Sequence, residues 1–134
     1  MLPALIRRYD EAAASGAVSV TNWGTGTPRR EFLHVDDMAA ASIHLMEHYD
    51  DASQVNVGSG VDISIRELAG IVAKVTGFTG ETEWDTSKPD GTPQKLLDVS
   101  KLSDAGWTAS IGFEEGLRST VDWYRAHIDE LRGK

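Results

Sequence analysis

The sequence has 134 residues, 40% of them apolar, which suits a single domain with an ordinary core, and no apolar run approaches the about 18 residues a membrane span requires. It contains no cysteine, which excludes a disulfide framework, a thiolate zinc site and a cysteine nucleophile. The net charge of −8 argues against a nucleic-acid binder, yet residues 1–34 carry four arginines against three carboxylates, so an anionic ligand is drawn to the amino-terminal third.

In chain order, Leu2, Leu5, Ile6 and Tyr9 recur at helical spacing with Pro3 in the first turn, so residues 3–14 read as a helix that Ser15-Gly16 ends. The start lacks the basic-then-apolar order of a secretion signal, and a cytoplasmic location is expected. Residues 18–23 alternate as a strand does, residues 24–28 form a Gly-Pro turn, and residues 30–35 read as extended. Asp36 or Asp37 can cap a helix to about Tyr49 with Met38, Ser42, Leu45 and Met46 on one stripe. His44 and His48 have the i, i+4 spacing of two metal ligands, but no third ligand is evident, and they read as partly exposed helix residues.

Residues 54–57 read as a short strand. Ser64-Ile65-Arg66-Glu67 fits the capping box, and Ile65, Leu68, Ile71, Val72 and Val75 form the buried face that follows until Gly77. A strand at 81–84, a loop over 86–92 rich in Ser, Lys, Pro, Asp and Gly, a short helix after Ser100 and an amphipathic helix carrying Leu117, Val121, Tyr124, Ile128 and Leu131 complete the chain. Gly58-Ser59-Gly60 follows a strand but lacks the third glycine of a dinucleotide fingerprint, so it reads as a turn.

Two segments are more informative than their composition. The run from Trp23 to Ala39 resembles a segment of extended short-chain dehydrogenases, with Arg30-Glu31-Phe32-Leu33-His34-Val35-Asp36-Asp37 shared across that superfamily. Trp23-Gly24-Thr25-Gly26-Thr27-Pro28 together with the stretch from Asp85 to Asp98 resembles GDP-L-fucose synthases more specifically. That resemblance implies a small mixed α/β fold, the carboxyl-terminal part of an extended short-chain dehydrogenase without a complete Rossmann sheet. Residues 1–134 would form one nucleotide-sugar-binding domain, and the NADPH-binding domain would be absent.

The resemblance further implies that Arg8 and Arg30 hold the diphosphate of a GDP-sugar, GDP-4-keto-6-deoxy-D-mannose or GDP-L-fucose, through the planar donor fork of Arg. It places Trp23 as a flat contact with an indole donor, Asp90 on the guanine amino edge and Lys95 by base or phosphate. From the residues alone, Arg8 reads as a solvated helix face, Arg30 as a strand residue pairing with Glu31 or Asp37, Trp23 as core, and Asp90 as a cap or turn residue. The Ser, Tyr, Lys, Cys and His that such an enzyme uses have no equivalents here, so the chain alone is expected to be inactive, with no cofactor of its own and NADPH serving the full-length enzyme. The sequence departs from the family in the polar Thr21-Asn22 before Trp23 and in Gln94, where a basic residue is common. Apolar surface on the helix after Asp37 would be left uncovered, which allows a homodimer.

Overall fold

The structure, a computed structural model, describes residues 1–132. Leu5, Ile6, Tyr9 and Ala12 form the buried stripe of helix α1, Leu2–Ser15. Gly16 ends it in the left-handed region at φ 66°, where the amides of Gly16 and Ala17 donate back to Ala13 and Ala12. The chain then enters strand β1, Ser19–Trp23, which pairs in parallel with strand β4, Glu81–Asp85, in the register Ser19↔Glu81 to Trp23↔Asp85.

The Gly-Pro turn does not fold β1 back on the next strand. It hands the chain to a second sheet, in which β2, Arg29–Glu31, is flanked by antiparallel β3, Asp62–Ser64, and parallel β5, Gln94–Lys95. Positive φ at Gly24 and Gly26 turns the backbone, and the Gly24 amide donates to Asp85 O at 2.9 Å, which closes the first sheet before the second begins.

Helix α2, Val35–His48, is capped by the His34 ring, whose Nδ1 accepts from Asp36 N, and not by Asp36 or Asp37. Its expected apolar stripe is also displaced. Asp37 and Ala41 are the buried residues, while Met38 is 42% and Met46 79% exposed. Residues 54–57 are irregular, because no strand among the described residues lies beside them, and Asn56 Nδ2 instead donates to Asp98 O.

Helix α3, Ile65–Thr76, carries the full capping box: Glu67 N donates to Ser64 Oγ at 3.1 Å and Ser64 N to Glu67 Oε2 at 2.8 Å. Ser64→Ala is therefore expected to cost about 1 kcal/mol, read as a lower urea midpoint with an unchanged slope. Leu68, Ala69 and Val72 of α3 pack with α1, with Val20 and Phe78, and with Leu117 and Val121 of helix α5, Phe113–Ala126. Between them lies the short helix α4, Ser100–Asp104. The final amphipathic segment breaks at His127, after which α6, Ile128–Arg132, leaves Leu131 49% exposed. The whole is the expected small mixed α/β arrangement, with two incomplete sheets and no doubly wound sheet among the described residues.

Candidate functional site

The 24–28 turn and the 86–93 loop are locked together. Asp90 Oδ2 accepts from the Thr25 hydroxyl at 2.7 Å and Oδ1 from the Thr25 amide at 2.9 Å. These two bonds, the hydroxyl's first, hold the Asp90 carboxyl below its usual pKa. A Cβ on Gly24 would collide with that carboxylate. Asp90 thus has the turn-fixing role that its sequence context allows, and it sets where the loop lies.

Lys88 lies in this loop, and strand β5, which carries Lys95, follows it. Arg30 and Lys95 are direct register partners on the parallel strands β2 and β5, so their side chains stand side by side on one face. Arg30 Nη1 donates to Arg29 O at 2.6 Å, and a Cβ at Gly91 would lie 3.4 Å from Arg30 Nη2. Trp23 is 73% exposed, which overturns a core role, and Lys88 Nζ stands 5.8 Å from its ring centroid. Sequence reasoning missed Lys88, although its place in the same loop as Asp90 was a usable signal. Arg8 is no free helix-face residue: its Nη1 donates at 3.1 Å to both Thr21 O and Asn22 Oδ1, tying it to β1 beside Trp23.

Among the described residues, no carboxylate lies within ion-pair distance of Arg8, Arg30, Lys88 or Lys95. Arg29 differs, since its Nε meets Asp62 at 2.7 Å. The expected partners of Arg30 are engaged elsewhere. Glu31 accepts from Gly60 N at 2.6 Å and from Leu97 N at 3.0 Å, and Asp37 accepts from Ser110 and Ile111. Cations without carboxylate partners, one of them beside the exposed Trp23 ring, can hold a phosphorylated, planar ligand. Next to Arg30, a recess of about 290 Å³ runs past Phe32, Ser59 and Val61 to Ile63.

Residues 58–60 do not fit a dinucleotide. Glu31 fills the place of a Gly58 side chain and takes the Gly60 amide, so a carboxylate stands where a pyrophosphate would have to sit. The two helix histidines each use a ring nitrogen on a backbone carbonyl, His44 Nε2 with Ala105 O at 2.7 Å and His48 Nδ1 with His44 O at 3.0 Å, with the rings stacked at 4.4 Å. No helix among the described residues is long and apolar enough to cross a membrane.

Comparison with known proteins adds an independent line. The NAD dependent epimerase/dehydratase family matches residues 1–58. The chain is 56% identical to the probable GDP-L-fucose synthase 1 of Oryza sativa subsp. japonica, over 96% of this chain and 39% of that protein. It is 53% identical to the GDP-L-fucose synthase of Escherichia coli (strain K12), over 99% of this chain and 44% of that protein. Among solved structures, a GDP-L-fucose synthetase from Naegleria fowleri superposes with a TM-score of 0.87 at 27% identity, covering 96% of this chain and 40% of that one. The GDP-mannoheptose C4 reductase from Campylobacter jejuni with NADP bound gives 0.82 at 34% identity, covering 92% and 44%. The chain spans about two fifths of the length of these curated relatives.

Proposed function

We propose that this chain, a homologue of GDP-L-fucose synthases over nearly its whole length, is the GDP-sugar-binding portion of such an enzyme. The observation that carries the reading is the pairing of Arg30 with Lys95 on one sheet face without neutralising carboxylates, next to the loop whose Lys88 stands 5.8 Å from the exposed Trp23 ring. In this reading Arg8 and Arg30 hold the diphosphate of GDP-4-keto-6-deoxy-D-mannose or GDP-L-fucose, Trp23 lies flat against the ligand, and Lys95 meets base or phosphate. Asp90 holds the loop through Thr25 and faces the guanine amino edge. Residues 1–134 act as one nucleotide-sugar-binding domain of a cytoplasmic enzyme.

Hydride and proton transfer belong to the remaining length of the relatives, where NADPH would be bound. This chain alone is expected to bind the sugar nucleotide without turning it over, since the Ser, Tyr, Lys, Cys and His that the resemblance assigns to the chemistry have no equivalents in its sequence. Calorimetry with GDP tests the reading. Arg30→Ala is expected to weaken GDP binding about 10- to 100-fold, the equivalent of one charge-assisted phosphate contact, while guanosine binding changes little. No heat at millimolar GDP from a folded chain would refute it.

A second reading, a self-associating module derived from such an enzyme, is favoured by the exposed apolar residues of α2: Val35 at 72%, Ile43 at 54% and Met46 at 79%. It anticipates a sedimentation coefficient that rises with concentration and returns to the monomer value in Met46→Glu. A clean monomer throughout the concentration range would discard it.

A further inference from the structure

We infer that Asn22 is a positioning residue for the ligand-binding guanidinium of Arg8, acting through a one-way chain of hydrogen bonds that runs into the core. The inference rests on the reading above, in which Arg8 holds a diphosphate. Arg8 Nη1 donates to Asn22 Oδ1 at 3.1 Å, Asn22 Nδ2 donates to Tyr9 Oη at 2.8 Å, and Tyr9 Oη lies 3.1 Å from Thr82 Oγ1. Arg has only donors, so the amide atom facing it must be the oxygen. That fixes the amide nitrogen toward Tyr9, and with its oxygen accepting from Asn22, the Tyr9 hydroxyl donates to Thr82. Every bond points the same way, the arrangement in which successive bonds polarise one another.

The burial of this chain separates it from an ordinary surface contact. Asn22 is 3% and Tyr9 0% exposed, and Tyr9 belongs to the core cluster with Leu5, Ile6, Val20, Val72 and Phe78. An apolar pair of similar volume would fill the same space without desolvating an amide and a phenol. What the polar pair adds is a fixed acceptor at the surface end, where a second acceptor, Thr21 O, meets the same Nη1. With Nη1 held at two points, the plane of the guanidinium is set. Arg8 Nη2 and Nε have no protein acceptor among the described residues, which leaves that edge available to an anion.

The paired variant Tyr9→Phe with Asn22→Val tests this without stranding a buried hydroxyl. Nitrogen relaxation at Arg8 Nε should fall from an order parameter of about 0.85 to below about 0.6. GDP affinity should fall about threefold to tenfold, the cost of ordering one long side chain on binding, while guanosine affinity holds. In an Arg8→Ala background the pair should cause no further loss. An Arg8 that stays rigid, an equal loss for guanosine, or a loss that persists without Arg8 would each overturn the inference. Failure of the underlying reading has a different signature: Arg8→Ala alone leaves GDP affinity unchanged while the relaxation result stands, and the ligand-positioning role of Asn22 then falls with it.

Discussion

Asp37→Ala is expected to destabilise the chain by about 2–4 kcal/mol, because it removes the buried carboxylate that accepts three hydrogen bonds from the segment at 110 and 111. Asp37 is 3% exposed at the start of α2, and its carboxylate accepts from Ser110 N at 3.1 Å, Ser110 Oγ at 2.9 Å and Ile111 N at 2.9 Å. It is the tie between α2 and the segment that leads into α5. Burial alone pushes its carboxyl up, but the Ile111 amide, the Ser110 hydroxyl and the Ser110 amide together outweigh that, and the folded pKa lies below its usual value. A carboxyl depressed by folding contributes stability above its unfolded pKa of about 4 and loses it as pH falls through the folded value. The difference between wild type and Asp37→Ala in urea should therefore be full at pH 7 and should shrink under acid. Asp51, Asp62 and Glu67 shift in the same direction, so only the difference between the two proteins isolates Asp37. A constant difference from pH 7 to pH 3 would refute the ionic account, and coincident midpoints at pH 7 would refute the tie itself.

The same residue shows where the sequence was legible and where it was not. Helices α1 and α3 were readable because their apolar spacing, their glycine stops and the Ser64–Glu67 box all agree. In α2 the apolar residues are not the inward ones. Met38 and Met46 face out while Asp37 faces in, since the amides at 110 and 111 need an acceptor, and no local pattern announces a demand made 73 residues away. Strands of two or three residues such as β5 and β3 are too short to show alternation, so the adjacency of Arg30 and Lys95 could only come from the register. Of the residues expected from family resemblance, Arg30 and Lys95 are register partners, while Arg8 is tied to Asn22 and Asp90 to Thr25. The supporting contacts, Asp90 on Thr25, Glu31 on Gly60 and Asn22 on Arg8, depend on tertiary approach and had no signature beyond the polarity of Asn22 before Trp23.

Gly26→Ala is expected to cost about 2–5 kcal/mol, the larger part of it from packing. Gly26 has φ 76°, a left-handed conformation that costs an L side chain about 1–2 kcal/mol. Its environment adds to that. A Cβ there would lie 2.6 to 2.9 Å from three carbons of the Trp84 ring, and forcing such overlap costs about 1–3 kcal/mol. Trp84 cannot easily move aside, because its backbone is paired to Asn22 in the first sheet and its ring lies 4.6 Å from the Arg66 guanidinium. Arg66 in turn donates from its backbone to Gly26 O at 2.9 Å and from its side chain to Thr25 O, so turn, indole and guanidinium shift together or not at all. Gly16 supplies the control, with φ 66° and no atom within 4 Å of an added Cβ. Gly16→Ala should show the conformational cost alone, about 1–2 kcal/mol, and the excess in Gly26→Ala measures the clash with Trp84. Because the turn carries Thr25 and leads into β2, displacing it also loosens Asp90, the loop before β5, and with them the strands that carry Arg30 and Lys95. Gly26→Ala should then bind GDP more weakly even where it remains folded, whereas Gly16→Ala should not. Equal destabilisation of the two variants by urea would show that the indole yields freely and that the turn is held by something other than its contact with Trp84.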